Sequence, residues 1–275
     1  MRTVLITGCS SGFGEAAVHK FANSGWNVIA TLRNPAAAPQ FPENVLVTRL
    51  DVQDLDSIET AISAGLARFG AIDVLVNNAG YGLFGFFEET GREKMHEQFE
   101  VNVFGFMEVT RAMLPHMREN KSGVIVNVTS GAGVFGLPMI SLYAASKFAV
   151  EGFSESLMHE VAALGIRVKL VEPGGVTSTR FGERAVSEAP DMTAIDDYRP
   201  LAAAAQKVFA SIAANRSGGT AQEVAGVIFE AAADGSDRLR YVATEGIKQW
   251  VAARRETSEE EYLALMRREV TLKAP

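Results

Sequence analysis

Residues 3–14 read Thr3-Val4-Leu5-Ile6-Thr7-Gly8-Cys9-Ser10-Ser11-Gly12-Phe13-Gly14. Thr3 to Ile6 is a short apolar run of β-forming residues, and helical periodicity begins after the glycines, at Ala16, Ala17, Phe21 and Ala22. A strand, a glycine-rich turn and a helix in that order suit phosphate binding. Glycines permit a tight turn and close backbone approach, and a helix N-terminus offers unbonded N–H groups and the positive end of a dipole. The spacing is Gly-x-x-x-Gly-x-Gly rather than the commoner Gly-x-Gly-x-x-Gly, and an ordinary tight turn uses the same residues. Gly8, Ser10, Ser11, Gly12, Phe13 and Gly14 are the candidate contacts. Cys9 reads as a small residue filling the loop.

From there the chain alternates strands with helices. Trp26 to Thr31 predicts a second strand, followed by Leu32 and Arg33. In a dinucleotide fold an acid near this point binds the adenosine ribose hydroxyls. No acid is present, and Arg33 either pairs with a 2′-phosphate through its forked guanidinium or is a solvated surface arginine. After the Asn34–Asn44 loop, Val45 to Leu50 predicts a third strand ending at Asp51-Val52. Asp51 either meets an adenine or caps the helix that starts near Asp54. Ile72 to Val76 predicts a fourth strand, and the small and amide-bearing Asn77-Asn78-Ala79-Gly80 suits backbone close to a ligand as well as a plain turn. A long helical pattern covers about Arg92 to Arg118 and contains Asn102, a poor helix former whose place there suggests a specific hydrogen-bonding role.

Val124 to Val128 predicts a buried strand ending near Thr129, with Ser130 at its end. The next helix, to about Gly165, carries Tyr143 and Lys147, which share a face at i,i+4. Such a pair is often only a surface pair, and Ser130 only a turn residue. Ile166 to Val171 predicts a sixth strand, broken by Pro173-Gly174-Gly175-Val176. About 177–219 has the length of a lid. Ala221 to Ala233 predicts a helix, Leu239 to Ala243 a last strand, and about 246–275 a helical tail. Alternating apolar strands and amphipathic helices imply a parallel sheet covered on both faces, with ligands at the carboxyl ends of the strands. The glycine loop, Arg33, Asp51, Asn78, Ser130 and Pro173 all follow predicted strands, so the architecture gathers them along one edge. No linker or repeat interrupts it, and residues 1–275 read as a single domain.

Composition narrows the class. The chain has 275 residues, a formal charge of −7 and one cysteine. The negative charge argues against broad nucleic-acid binding, and no apolar run approaches the roughly 20 residues that span a bilayer. The N-terminus enters a strand pattern directly, without a signal peptide. A lone cysteine excludes an internal disulfide framework and fits a reducing compartment, here the cytoplasm. The four histidines have no metal-ligand spacing, so no metal is expected.

The motifs Thr7-Gly8-x-x-x-Gly12-x-Gly14, Asn77-Asn78-Ala79-Gly80, Asn102-Val103-x-Gly105, Ser130, Tyr143-x-x-x-Lys147 and Pro173-Gly174 together resemble the short-chain dehydrogenase/reductase family. A weaker likeness points to its hydroxysteroid- and retinol-dehydrogenase-like branch. The resemblance implies a doubly wound Rossmann-type α/β domain, mostly parallel and seven-stranded, with helices on both faces. It implies a catalytic set of Asn102, Ser130, Tyr143 and Lys147, with Asn102 holding a water that passes protons to Lys147, and Lys147 also binding nicotinamide ribose. It adds Val52, Asn78, Ala79, Gly80, Pro173, Gly174, Val176 and Ser178 to the cofactor contacts. Leu32-Arg33 resembles members that prefer NADP(H), with NAD(H) the second candidate; Cys9-Ser10-Ser11 lacks the second basic residue some of them carry.

The expected function is interconversion of a ketone or aldehyde with an alcohol. At about 4 Å and an effective dielectric near 20, an ammonium attracts a phenolate by about 4 kcal/mol, enough in principle to bring Tyr143 near neutrality before desolvation opposes it. Ser130 would stabilise charge developing on the substrate oxygen. Phe84, Phe86, Phe87, Phe135, Leu137, Met139 and Phe181 predict an apolar pocket, with about half of the aromatics in the core instead and Arg180 and Arg184 as basic exceptions. A homodimer or homotetramer is expected through the helices at about Arg92–Arg118 and Leu142–Leu164. The competing classes are a non-catalytic NADP(H)-sensing regulator on the same fold, disfavoured by the retention of Tyr143 and Lys147, and a nucleotide-sugar epimerase or dehydratase, disfavoured by the glycine spacing.

Overall fold

The computed structural model describes residues 1–176, 185, 188–189, 195–215 and 219–272. Its strands are β1 (Thr3–Ile6), β2 (Asn27–Leu32), β3 (Val45–Arg49), β4 (Val74–Asn77), β5 (Gly123–Val128), β6 (Ile166–Glu172) and β7 (Arg240–Val242). They form one parallel sheet in the order β3-β2-β1-β4-β5-β6-β7. Parallel neighbours cannot be joined by hairpins, so the chain crosses a face of the sheet between them. The helices are α1 (Gly12–Asn23), α2 (Leu55–Phe69), α3 (Arg92–Phe99), α4 (Phe106–Glu119), α5 (Ser141–Val161), α6 (Arg199–Asn215), α7 (Ala221–Ala233), α8 (Lys248–Glu256) and α9 (Glu259–Val270).

Successive side chains of a strand face opposite sides of the sheet, and here both sides are apolar. Val4, Ile6, Val28, Ala30, Val74, Val76, Val124 and Val126 pack with Val18 and Phe21 of α1 and Val224 and Ile228 of α7. Leu5, Ile29, Leu75, Ile125 and Val168 pack on the other side with Ile58 of α2, Val109 and Met113 of α4 and Leu157 of α5. This two-sided burial is why the strands read as continuous apolar runs rather than as alternating ones.

From β1 the chain winds outward through β2 and β3, then returns to place β4 on the other side of β1. That reversal opens a crevice at the carboxyl ends of β1 and β4. Asp54 caps α2 by accepting from the Ser57 N–H at 3.2 Å. Asp51 is therefore not the cap; its Oδ1 accepts from Gln53 N in a local turn.

Two expected helices differ. The pattern from Arg92 to Arg118 is α3 and α4 separated by a π-helical segment, Glu100–Gly105. A single π turn sits inside an otherwise continuous helical run, so the sequence pattern reads straight through it. The tail is a 3-10 turn at Glu245–Ile247, then α8, then α9, which Ser258 starts afresh with a capping box to Glu261. Trp250, Val251, Tyr262 and Met266 from these helices pack over Val134 and Phe135. Among the described residues no helix is long and apolar enough to cross a membrane.

Candidate functional site

Thr7 follows β1, and its side chain joins the two walls of the crevice. Its Oγ1 accepts from Asn78 N and Ala79 N, both at 2.9 Å, while Asn78 Nδ2 donates to Thr7 O at 2.8 Å. The loop from β1 to α1 is thereby fastened to the turn after β4. At Gly14 a Cβ would lie 2.2 Å from Gly8 O and 2.6 Å from Asn78 Nδ2, and Gly8 itself sits at φ +73 against Ala79. Only residues without a side chain let these backbones meet.

The result is a cleft of about 410 Å³. Its lining includes Gly8, Ser10, Ser11, Gly12 and Phe13 at one end, Arg33, Asp51, Val52, Asn78, Ala79 and Gly80 along it, and Tyr143 and Lys147 at the other. Arg33 is exposed and free of burial constraints. A phosphate cradle of small residues, a cation near the end of β2 and a titratable pair at the far end fit a dinucleotide. Leu32, Leu50, Gln53, Tyr81, Glu97, Val101, Val128 and Thr129 also line the cleft. None of them is assigned as a cofactor contact from the sequence, although Leu32 stands beside Arg33 and Tyr81 opens a segment expected to face the substrate pocket. Leu32 and Thr129 flank foreseen residues at strand ends, and that position was the available signal.

Tyr143 and Lys147 lie on the buried face of α5. The Tyr143 phenol hydrogen-bonds Ser130, and the Lys147 Nζ stands 5.8 Å from the Tyr143 ring centre while donating to Val128 O at 3.1 Å. Ser130 opens a 3-10 turn, Gly131–Gly133, and its Oγ accepts from Ala132 N at 3.1 Å. Burial pushes the Tyr143 phenol up to about 12, with the Ser130 hydrogen bond acting the other way. The sequence set the attraction of Lys147 against desolvation without deciding between them; in the folded chain burial dominates. Burial also brings the Lys147 ammonium down to about 8, opposed by the Glu151 carboxylate.

Asn102 sits inside the π-helical segment, 2% exposed. Its Oδ1 accepts from Tyr81 N at 3.0 Å, and its Nδ2 donates to Tyr81 O at 2.8 Å and Ser146 Oγ at 3.2 Å. The side chain thus clamps the chain after Gly80 to the helix that carries Tyr143. It does not line the cleft. Pro173 O accepts from Gly131 N at 2.8 Å, seating the β6 end beside Ser130. Gly174 N donates to Thr244 Oγ1 at 2.9 Å. Neither Pro173 nor Gly174 lines the cleft, nor does Val176; Ser178, Arg180, Phe181 and Arg184 lie outside the described residues.

Beside Tyr143 the surroundings are apolar. Phe84, Leu137 and Ile140 pack with Tyr143 and Ala144, and Phe209 of α6 meets Phe84 at 4.9 Å between ring centres. Met139 adopts φ 62, which presents its carbonyl to Gly85 N at 2.8 Å and ties the two pocket segments together. Phe135 is core, edge-on to Trp250, and Phe86 is buried against Tyr198. Phe87, 61% exposed, points to neither core nor pocket.

Residues 2–189 match the family model described as short chain dehydrogenase. The chain belongs to the short-chain dehydrogenase family. It is an oxidoreductase of that type. Among short-chain dehydrogenases and related oxidoreductases, it is 38% identical over 231 residues to an uncharacterised oxidoreductase of Schizosaccharomyces pombe, covering 84% of this chain and 94% of that one. It is 36% identical over 232 residues to retinol dehydrogenase 8 of Homo sapiens, covering 78% and 74%. A solved short-chain dehydrogenase from Streptomyces avermitilis superposes with a TM-score of 0.80 at 33% identity, covering 97% and 95%. The family match ends before α6, so α6, α7, β7, α8 and α9 lie outside it.

Proposed function

We propose that this short-chain dehydrogenase uses NADP(H), with NAD(H) as the weaker cofactor, to interconvert a ketone or aldehyde with an alcohol on an apolar substrate. The observation that carries this is a phenol bonded to Ser130, with Lys147 beside it, at the end of a glycine-floored cleft. When bound, the nicotinamide supplies or accepts the hydride.

The residues supply the rest. With its phenol pushed up to about 12, Tyr143 is protonated at neutral pH and suited to give its proton to a carbonyl oxygen. Ser130 Oγ donates to the same oxygen as charge develops there. The phenolate left behind is stabilised by the Lys147 ammonium. Asn102 anchors Tyr81 and α5 and so fixes the distance across the site. Arg33 takes the 2′-phosphate, and Gly8 to Gly14 take the pyrophosphate. Val176 and Ser178 are assigned to the nicotinamide end.

Phe84, Leu137 and Ile140 support the apolar substrate, as does the likeness to a retinol dehydrogenase. We take the chain as one domain in which about 177–219 is the substrate lid. We take the assembly as a homodimer or homotetramer through about Arg92–Arg118 and α5, where Phe104 of the π-helical segment and Phe148 are 51% and 44% exposed. A buried lone cysteine supports a reducing cytoplasmic setting. NADPH oxidation with a panel of ketones, aldehydes and quinones tests the activity. A higher kcat/KM for a steroid or aryl ketone than for a small keto acid is expected, and the reverse order would sink the apolar assignment.

A further inference from the structure

Glu151 follows Lys147 by one helical turn on α5 and is 6% exposed. A carboxylate so placed is costly unless it is paired. Its Oε1 accepts from Thr129 Oγ1 at 2.7 Å, and its Oε2 accepts from Arg240 Nε on β7 at 3.1 Å. Thr129 is the residue before Ser130. At Gly133 a Cβ would lie 3.0 Å from Glu151 Cγ and 3.1 Å from Lys147 O, so the 3-10 turn closes over both residues.

The charges around Glu151 come from four elements. Lys147 and Glu155 share its helix, and Glu155 also pairs with Arg240. Fully buried Glu172 at the end of β6 stands 3.6 Å from Arg240 Nε. Arg255 of α8 holds Glu172 through two hydrogen bonds of 3.0 and 2.6 Å. Burial and Glu172 push the Glu151 carboxyl up, while Thr129 and Arg240 pull it down. Opposite charges one turn apart on a helix attract, and more strongly where water is excluded.

We propose that Glu151 is a positioning residue, which keeps Lys147 in its ammonium form beside Tyr143 and is itself kept ionised and aimed by Thr129 and Arg240. The proposal rests on the reading that Lys147 serves Tyr143. The sign is fixed by charge: neutralising Glu151 removes an attraction, so Lys147 gives up its proton at lower pH.

Lysine labelled with 13C lets the Lys147 side-chain resonance be titrated without turnover, assigned by its loss in Lys147→Met. In Glu151→Gln the midpoint should fall by about one pH unit, the scale set by one nearby opposite charge. Thr129→Val should move it the same way by less, Glu151→Asp should bring it back toward the wild type, and Glu155→Gln, at the exposed rim, should leave it in place. An unmoved midpoint in Glu151→Gln overturns the proposal; if that variant does not fold, an unmoved midpoint in Thr129→Val overturns it. With an aryl ketone and NADPH, the alkaline limb of kcat should shift in parallel while kcat at pH 6.5 stays within about threefold, the loss being one of charge rather than of geometry. If the wild type binds NADPH but reduces no carbonyl in the panel, the catalytic reading fails and the titration alone decides for or against Glu151.

Discussion

A phenol removed from water holds its proton more tightly, and at Tyr143 burial acts against the hydrogen bond with Ser130. The sequence position of Tyr143 announced the partnership with Lys147 and Ser130. The balance of burial against charge did not follow from sequence, because burial is set by Ile140, Leu137 and Phe84 from other segments. Tyr143→Phe keeps the ring and its packing and removes the transferable proton. Turnover should fall by orders of magnitude with NADPH affinity nearly intact, measured by steady-state kinetics beside fluorescence titration of the cofactor; most activity retained would unseat the residue. At the other end of the cleft, Arg33 is exposed and has room to meet a phosphate. Losing one charge-assisted contact costs about 1.5–3 kcal/mol. Arg33→Ala should therefore weaken NADPH about tenfold or more and leave NADH nearly unchanged, and equal weakening of both would remove Arg33 from the 2′-phosphate. Glu151 and Arg240 were illegible for a plainer reason: they lie 89 residues apart, and only the sheet brings them together.

Strands and most helices could be read from the chain because each is a local pattern buried on both faces of one sheet. Ala221–Ala233 matches its helix end for end, and Thr220 and Glu223 supply the capping box that starts it. The π-helical segment is the exception that matters. It lies where Asn102 must turn inward, and a widened turn is one way to re-aim a side chain at a functional site. Gly105, at its end, passes so close to α2's approach that a Cβ would fall 2.6 Å from Val52 Cγ2 and 2.8 Å from Val52 O. Asn102→Ala would strand the N–H of buried Tyr81, while the Tyr81 C=O keeps its bond from Gln98 Nε2 at 3.0 Å. One unsatisfied buried group costs about 1–3 kcal/mol, so urea unfolding should show a loss of that size and kcat should fall with it. Unchanged stability would mean that water replaces the amide, and that the clamp is dispensable.

For the whole molecule, two of the exposed phenylalanines, Phe104 and Phe148, bear on assembly. Phe104 and Phe148 lie on neighbouring elements, and an apolar pair there suits burial against a second copy. Light scattering at micromolar concentration should find a dimer or tetramer, and Phe148→Glu should shift it toward smaller species; a wild type of one chain's mass would end the assignment. The pairing of Arg255 with Glu172 also bears on how the protein is made. The carboxylate is 83 residues ahead of its arginine in the chain. During synthesis, β5, β6 and α5 emerge while Glu172 and Glu151 still await Arg255 and Arg240, and a buried carboxylate without its counter-ion costs about 3–5 kcal/mol. The Tyr143 helix is therefore locked by residues that leave the ribosome well after it. Ribosome-arrested chains ending before β7 should be cut rapidly by protease within α5, and chains arrested well beyond α8 should resist, which makes translation itself the clock for assembling the site.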